Sequence, residues 1–316
     1  MNLTALSHYD NDLTTRFGDC ILLHDNNSLT VYDCGHKKHC DAIKEFLESN
    51  STIMQVHVVV SHNDYDHTSG VCELLTWLHK NKKYYVDVYT HQYLKYADTI
   101  LDKVDDGRRN RESLKKALLA EFDNIKTIIE TAQTYGFDTH EALKGTFVGS
   151  CTIAGPTVDE FTDVAAKAVD NRESDNIGEG HEEETVMNAA SVQLKCKLSN
   201  GEVILLSGDA SPMYMHNLNS YDIIQLPHHG QLDSAKAIFE KLLGISYIKK
   251  YLISDNTGSK TTSGGSDKLV QYMIEENYSP AMNTKKAQVQ IPQKANISIT
   301  TKPQGVKLGE VDNWCW

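Results

Sequence analysis

The chain has 316 residues, with 31 Lys+Arg against 43 Asp+Glu and a formal net charge of −12. That length can bury a substantial core in one large domain, and the acidic balance argues against broad, sequence-independent binding of duplex nucleic acid, whose affinity is mostly phosphate neutralisation. No apolar run approaches the roughly 20 residues of a membrane helix, and Met1–Thr15 is polar and unlike a signal peptide, so a cytoplasmic protein with no membrane contact is expected.

Taken in chain order, Phe17–Leu23 and Leu29–Gly35 read as two short strands around the Asn26-Asn27-Ser28 turn, the second ending in Asp33-x-Gly35. The segment Cys34–Cys40, with His36 and His39, reads as a loop into a helix over Asp41–Ser49. A second zinc site there is the lesser alternative, because its two lysines repel a cation and its spacing matches no common finger. The apolar run Val56–Val60 then reads as a buried strand, and directly after it come Ser61-His62-Asn63-Asp64-Tyr65-Asp66-His67. Two imidazoles and two carboxylates within six positions are costly at an apolar strand end unless a cation or partner compensates them. This is therefore a metal-ligand loop, with His62, Asp64, Asp66 and His67 as its candidates.

A strand at Tyr85–Tyr89 is followed by a helical insertion over 91–145, ending near the strand at Phe147–Val148. Within it Leu114, Leu118, Phe122, Ile125 and Ile129 recur at intervals of three and four, one face of an amphipathic helix. The stripe either packs on the body of the protein or offers a surface for a homodimer or partner protein. Arg108, Arg109 and Arg111 open that helix and could guide a phosphate-bearing substrate. Residues 170–186, acidic and nearly free of apolar side chains, read as a flexible loop.

Asn188-Ala189-Ala190-Ser191 leads into another strand. Val203–Leu206 ends in Ser207-Gly208-Asp209, and Ile223–Leu226 ends in Pro227-His228-His229-Gly230. Carboxylates and imidazoles thus recur at strand C-termini, where α/β folds place their chemistry. The alternating stretches Ala287–Ile291 and Asn296–Thr300 read as closing strands of a second sheet. Seven cysteines, an odd number without C-x-x-C spacing, suit reduced thiols rather than a disulfide framework.

Gly18-Asp19, Asp33-x-Gly35, the His62–His67 loop, Asn188–Ser191, Gly208-Asp209 and His228-His229-Gly230 together resemble a metallo-β-lactamase-fold hydrolase. The likeness is greatest to the soluble nuclease-type domain of ComEC-type competence proteins. It covers most of the chain and implies a single α/β (α+β) domain over 1–316, an αββα four-layer sandwich with a helical insertion and two metals at one edge. Where the wider superfamily has H-x-H-x-D-H, this chain has Asp64 at the second histidine, a replacement the ComEC-type branch shares. The resemblance implies that His62 and Asp64 hold one metal, that Asp66 and His67 hold the other, and that Asp209 bridges them. One of His228 and His229 completes the second metal, and the other contacts a phosphate or protonates a leaving group. Asn188 is implied as a pocket residue for substrate. The superfamily's third histidine for the first metal has no counterpart in a matching motif, and His79, His91, His140 and His181 read as surface or core residues. The chain also departs from the pattern at Gln231, where serine is frequent, and in having no histidine after Ser254–Gly258.

Two divalent ions can activate water and stabilise both the attacking and departing oxygens of a phosphate ester. The aspartate at position 64 adds a hard oxygen, shifting preference from zinc toward manganese, so the expected cofactors are two Mn²⁺ or Zn²⁺ ions. The expected activity is metal-dependent phosphodiester hydrolysis by a nuclease, with Asp66, His228 and His229 at the reacting centre and single-stranded DNA the first polymer implied. Two alternatives are a small-molecule phosphodiesterase or esterase of the same fold, and a non-catalytic metal-binding module in a larger assembly.

Overall fold

The computed structural model describes residues 1–7, 18–104, 110–174, 186–255, 265–285 and 287–292. Its first half runs β1 (Asn2–Ala5), β2 (Ile21–His24), β3 (Ser28–Tyr32), α1 (Lys37–Ser49), β4 (Gln55–Val59), the single turn α2 (Tyr65–Thr68), α3 (Val71–Asn81) and β5 (Tyr85–Thr90). Then follow α4 (Ala97–Val104), α5 (Arg111–Glu121), α6 (Asp123–Thr134), β6 (Asp138–Glu141), β7 (Phe147–Val148), β8 (Cys151–Gly155) and α7 (Val158–Ser174). The second half continues with β9 (Gln193–Lys197), β10 (Val203–Leu206), β11 (Ile223–Gln225), the turn α8 (Pro227–Gly230), α9 (Leu232–Lys241), β12 (Lys250–Ile253), α10 (Asp267–Glu275), β13 (Met282–Asn283) and β14 (Val289–Ile291).

Among the described residues the strands form two sheets, ordered β14-β1-β2-β3-β4-β5-β6 and β13-β12-β11-β10-β9-β8-β7. Period-two alternation decides which way each side chain points. In the first sheet Leu22, Leu29, Val31 and Val58 face outward onto the helices α1, α3, α5, α6 and α7. Ile21, Leu23, Tyr32 and Val59 face inward, onto Leu194, Ile204, Leu206, Ile223 and Leu252 of the second sheet. The second sheet's other face, Leu205, Ile224, Tyr251 and Ile253, is covered by α9 and α10 through Ala235, Ile238, Phe239, Leu269 and Met273. Helix, sheet, sheet and helix therefore make four layers over three apolar cores, the expected αββα sandwich. Tyr32 ties the two sheets together by donating its hydroxyl proton to the Val192 carbonyl at 2.6 Å.

Several local expectations are corrected. The stripe at Leu114–Ile129 spans two helices rather than one, because the backbone breaks at Phe122, the C-cap of α5 and N-cap of α6. Leu114, Leu118, Phe122 and Ile125 are buried on the first sheet's outer core, so this stripe serves the chain's own packing. The 91–145 segment is not wholly helical: it holds β6, which extends the first sheet in parallel with β5. The helix expected at Asp41 begins at Lys37, capped by His36 Nδ1, which accepts the Lys38 N–H at 3.1 Å. α7 continues to Ser174, so the first residues of the expected 170–186 loop are helical, with Arg172 paired to Glu121 at 3.0 Å. Residues 175–185 lie outside the described set, as do Arg108, Arg109, His181 and Asn296–Thr300. β14 pairs antiparallel with β1, which places it in the first sheet and not the second. The cysteines are not all reduced: Cys151 and Cys196, 45 residues apart and facing each other across β8 and β9, form a disulfide. No helix among the described residues is long and apolar enough to cross a membrane.

Candidate metal centre

Strand direction brings the chemistry to one edge. β3 to β6 run parallel in the first sheet and β10 to β13 in the second. The loops after β3, β4, β10, β11 and β12 therefore leave at C-terminal ends, while β2 and β9, antiparallel to their neighbours, enter at the same edge. These seven connections carry Asp33, the His62–His67 loop, Asp209, His228-His229, Ser254-Asp255, Gly18-Asp19 and Asn188–Ser191.

Within that edge the expected metal residues converge. His62 Nε2 lies 3.7 Å from Asp64 Oδ2 and 4.0 Å from Asp209 Oδ2. His67 Nε2 lies 3.6 Å from Asp209 Oδ2 and 4.0 Å from Asp66 Oδ1. His229 Nε2 is 3.1 Å from Asp66 Oδ2 and 4.0 Å from Asp209 Oδ2, and His228 Nδ1 is 3.2 Å from Asp209 Oδ2. Asp209 is the common neighbour of all four imidazoles. His62 Nε2, His67 Nε2 and Asp209 Oδ1 are buried and make no hydrogen bond. Buried polar atoms ordinarily have partners, so three orphans aimed at one space fit a site built for cations held by nitrogen and carboxylate oxygen.

The far sides of His62, His67 and His229 are held. His67 Nδ1 sits 2.8 Å from Asp33 Oδ2. His62 Nδ1 lies 2.9 Å from Ser61 Oγ and 3.2 Å from Ser191 Oγ. His229 Nδ1 is 3.1 Å from both Asp19 Oδ1 and the Ser254 carbonyl. Such outer partners fix the tautomer that turns the other nitrogen toward a metal. Asp33 also accepts the Ser61 N–H and Oγ–H, both at 2.7 Å, so it orders the loop as well as the ligand. Asp19, His67, Asp209 and His229 form the one described group of such side chains close enough to share an ion. Asp19 nonetheless backs His229 from the Nδ1 side, and its other oxygen accepts the Gln225 amide at 2.9 Å. Cys34, His36, His39 and Cys40 do not form a group of that kind.

Two glycines are dictated by this geometry. At Gly18, with φ +64°, a Cβ would stand 1.6 Å from the Asp66 carbonyl oxygen, because the Asp19 N–H reaches that carbonyl at 3.0 Å. At Gly208, with φ +51°, a Cβ would meet Ser61 Cβ at 2.9 Å. Each Gly-Asp pair is thus a left-handed turn squeezed against the metal-ligand loop.

Charge and burial compete strongly here. Burial disfavours the imidazolium of His67, yet the Asp209 and Asp33 carboxylates hold its pKa well above the usual value. For His229 burial again opposes, and Asp209 and Asp19 raise it well above the usual value. Burial would lift the Asp66 carboxyl, but the His229 hydrogen bond and the His67 charge bring it down. In Asp209 burial is overcome by the charges of His67 and His229, which hold it well below the carboxylate range.

No protein-family model and no curated protein matches the chain. Solved structures do resemble it. The metallo-β-lactamase fold protein YhfI from Bacillus subtilis aligns with 89% of this chain and 95% of its own at 12% identity, with a TM-score of 0.45. A metallo-β-lactamase mutant from Cronobacter sakazakii aligns over 82% and 77% at 14% identity, with a TM-score of 0.34. The long form of RNase Z from yeast covers 81% of this chain, which spans only 36% of that protein, at 9% identity and a TM-score of 0.41. The αββα architecture itself rests on the chain's own two facing sheets and three cores.

The remaining expected residues are placed elsewhere. Asn188 is buried, and its carbonyl accepts both the N–H and the Oγ–H of Ser191, at 2.9 and 2.8 Å. That Ser191 hydroxyl in turn lies 3.2 Å from His62 Nδ1. His79 stacks on Tyr135, with ring centroids 4.4 Å apart, and His140 pairs with Asp87 at 3.0 Å. His91 is buried against Phe161 with Nε2 3.1 Å from the Ala190 carbonyl, and burial pushes its pKa down to about 4. Arg111 pairs with Asp102 at 2.7 Å and Asp98 at 3.1 Å. The residues that sequence reasoning left without a role are Asp19, Asp33, Ser61 and Ser191. The signal was present at the first two, as carboxylates beside glycines at strand ends.

Proposed function

We propose that this protein is a metal-dependent phosphodiester hydrolase, with single-stranded DNA the first polymeric substrate. The observation that carries the reading is the convergence of the orphaned His62 Nε2, His67 Nε2 and Asp209 Oδ1 with Asp64, Asp66 and His229. In this reading His62 and Asp64 would hold one divalent ion, Asp66, His67 and His229 would hold a second, and Asp209, the common neighbour of these imidazoles, would be available to either. When bound, two such ions, Mn²⁺ or Zn²⁺, would supply Lewis acidity at the phosphate and a more acidic water.

The chain's own residues would do the rest. Asp33, Asp19 and the Ser61 and Ser191 hydroxyls orient the imidazoles, and the narrow turns at Gly18 and Gly208 keep Asp19 and Asp209 in place. The two adjacent histidines divide. His229 is buried with a carboxylate behind it, which suits a ligand, while His228 is part-exposed at φ +54° and suits phosphate contact or protonation of the leaving group.

The test is turnover of bis(p-nitrophenyl) phosphate and of labelled single-stranded DNA with Mn²⁺, Zn²⁺ or Mg²⁺, for wild type and the Asp66→Ala/His67→Ala variant. Metal-dependent turnover that the variant loses supports the reading. Metal binding without turnover of either substrate would refute it. A second reading, a small-molecule phosphodiesterase, is favoured by the net charge of −12, which repels a long polyanion. Preference for the small ester over DNA would select it.

A further inference from the structure

Two side chains of the His62–His67 loop lie outside its metal chemistry: Asn63, whose amide donates to the Glu121 carbonyl at 2.7 Å, and Tyr65. Tyr65 lies between Asp64 and Asp66 in the α2 turn and is 74% exposed. Singly exposed aromatic rings are common on protein surfaces, and what marks this one is its place between two carboxylates of the metal-ligand loop. The turn that carries it is held firmly: Thr68 Oγ1 donates to the Asp64 carbonyl at 2.9 Å, Ser69 Oγ donates to the Tyr65 carbonyl, and the His67 N–H returns to the Asp64 carbonyl at 3.1 Å. The ring therefore projects from a fixed base.

Beside it is a recess of about 270 Å³ lined by Gly35, His36, Tyr65, Asp66 and Ser69. Asp66 belongs both to this recess and to the metal centre, where its Oδ2 is 3.1 Å from His229 Nε2. The wall opposite the loop is shaped by close packing. A Cβ at Gly70 would meet Cys34 Sγ and the His36 carbonyl oxygen, each at 2.6 Å, so the starts of α1 and α3 touch without an intervening side chain. His36 is anchored as the N-cap of α1 through its Nδ1. The recess is open, counts a tyrosine and a histidine among its lining residues and shares Asp66 with the metal centre. Its volume is ample for one planar heterocycle.

We propose that this recess is a base-stacking subsite: Tyr65, with His36, holds the nucleobase attached to the ester being cleaved. This rests on the phosphodiesterase reading and sharpens it to a nucleotide-bearing substrate. Stacking on an aromatic side chain tolerates any base, because every base has a π-face. It also needs no basic surface, which accords with the chain's acidic balance.

The experiment compares Mn²⁺-supported cleavage of thymidylyl-thymidine with that of the same diester carrying abasic residues, for wild type, Tyr65→Ala, Tyr65→Phe and His36→Ala. In parallel, calorimetry compares binding of thymidine 5′-monophosphate with 2-deoxyribose 5-phosphate. Wild type is expected to prefer the base-bearing member of each pair. Tyr65→Ala should shrink that preference by about 5- to 150-fold, the range of one lost base stack, and Tyr65→Phe should retain it. Equal loss on both members in Tyr65→Ala, or an unchanged preference, overturns the subsite. Turnover without any base preference in wild type also overturns it while leaving the phosphodiesterase reading intact. A base-dependent binding preference that Tyr65→Ala erases, in a protein that cleaves neither diester, supports the subsite and overturns the phosphodiesterase reading.

Discussion

Metal binding to this site should release protons, and the structure says from where. In the metal-free chain His67 is raised well above its usual pKa, against burial, by Asp209 and Asp33, and His229 likewise by Asp209 and Asp19. Both imidazoles are therefore expected to hold their protons more tightly than free histidines in the absence of metal. A ligating imidazole must be neutral, so loading the ion that these two residues share should expel about two protons per chain. Each proton contributes roughly 1.4 kcal/mol per pH unit, so affinity should rise by about a hundredfold, ~2.7 kcal/mol, for each unit of pH below the raised pKa values. The sign for stability without metal is the opposite. The two raised histidines stabilise the fold fully below about pH 6.5 and progressively less as pH climbs through their folded values. Asp66 and Asp209, both depressed, contribute above about pH 4 and lose that contribution as pH falls through theirs. Isothermal titration of Mn²⁺ in buffers of differing ionisation enthalpy reads the proton count directly. A binding enthalpy independent of buffer would refute the reasoning.

Further perturbations separate the parts of the site. Asp33→Ala removes the acceptor of three groups, the Ser61 N–H and Oγ–H and His67 Nδ1, at a fully buried position. It should cost about 3–5 kcal/mol in urea unfolding and about 10- to 100-fold in metal affinity. Gly18→Ala and Gly136→Ala form a matched pair at φ +64° and +74°: the first drives a Cβ to 1.6 Å from the Asp66 carbonyl, while the second meets open space. Gly136→Ala should fold with a loss of about 1–2 kcal/mol, whereas Gly18→Ala should fail to bind metal; equal behaviour of the two in melting and metal uptake would contradict the geometry. Cys151→Ala/Cys196→Ala should lower unfolding free energy by about 2–4 kcal/mol, and thiol labelling of the unreduced, unfolded wild type should leave these two cysteines unmodified.

Much of this architecture was legible because the chemistry is coded locally. The β4 run with its H-x-D-x-D-H loop, the Gly208-Asp209 strand end and the His228-His229 pair each carry their meaning within ten residues. What escaped was coded at a distance or too weakly. β1 is four residues inside a polar N-terminus and gains its place only by pairing with β2 and β14. β6 is half-buried, so its alternation is faint, and it hid within a helical stretch. The helix break at Phe122 is invisible to a three-four periodicity, since the same apolar face continues across it. Cys151 and Cys196 meet only because β8 and β9 are adjacent. Asp19 and Asp33 look like turn formers in the chain and become partners of His229 and His67 only once both sheets present the same edge.

The most direct test of the two-ion phosphodiesterase account counts bound manganese and phosphodiester turnover in the same samples during a Mn²⁺ titration, for wild type and Asp209→Ala. The account predicts two ions per wild-type chain, turnover that tracks occupancy, and loss of both in the variant, since Asp209 is the common neighbour of His62, His67, His228 and His229. Turnover that needs no metal, or metal binding that survives in Asp209→Ala, would contradict it.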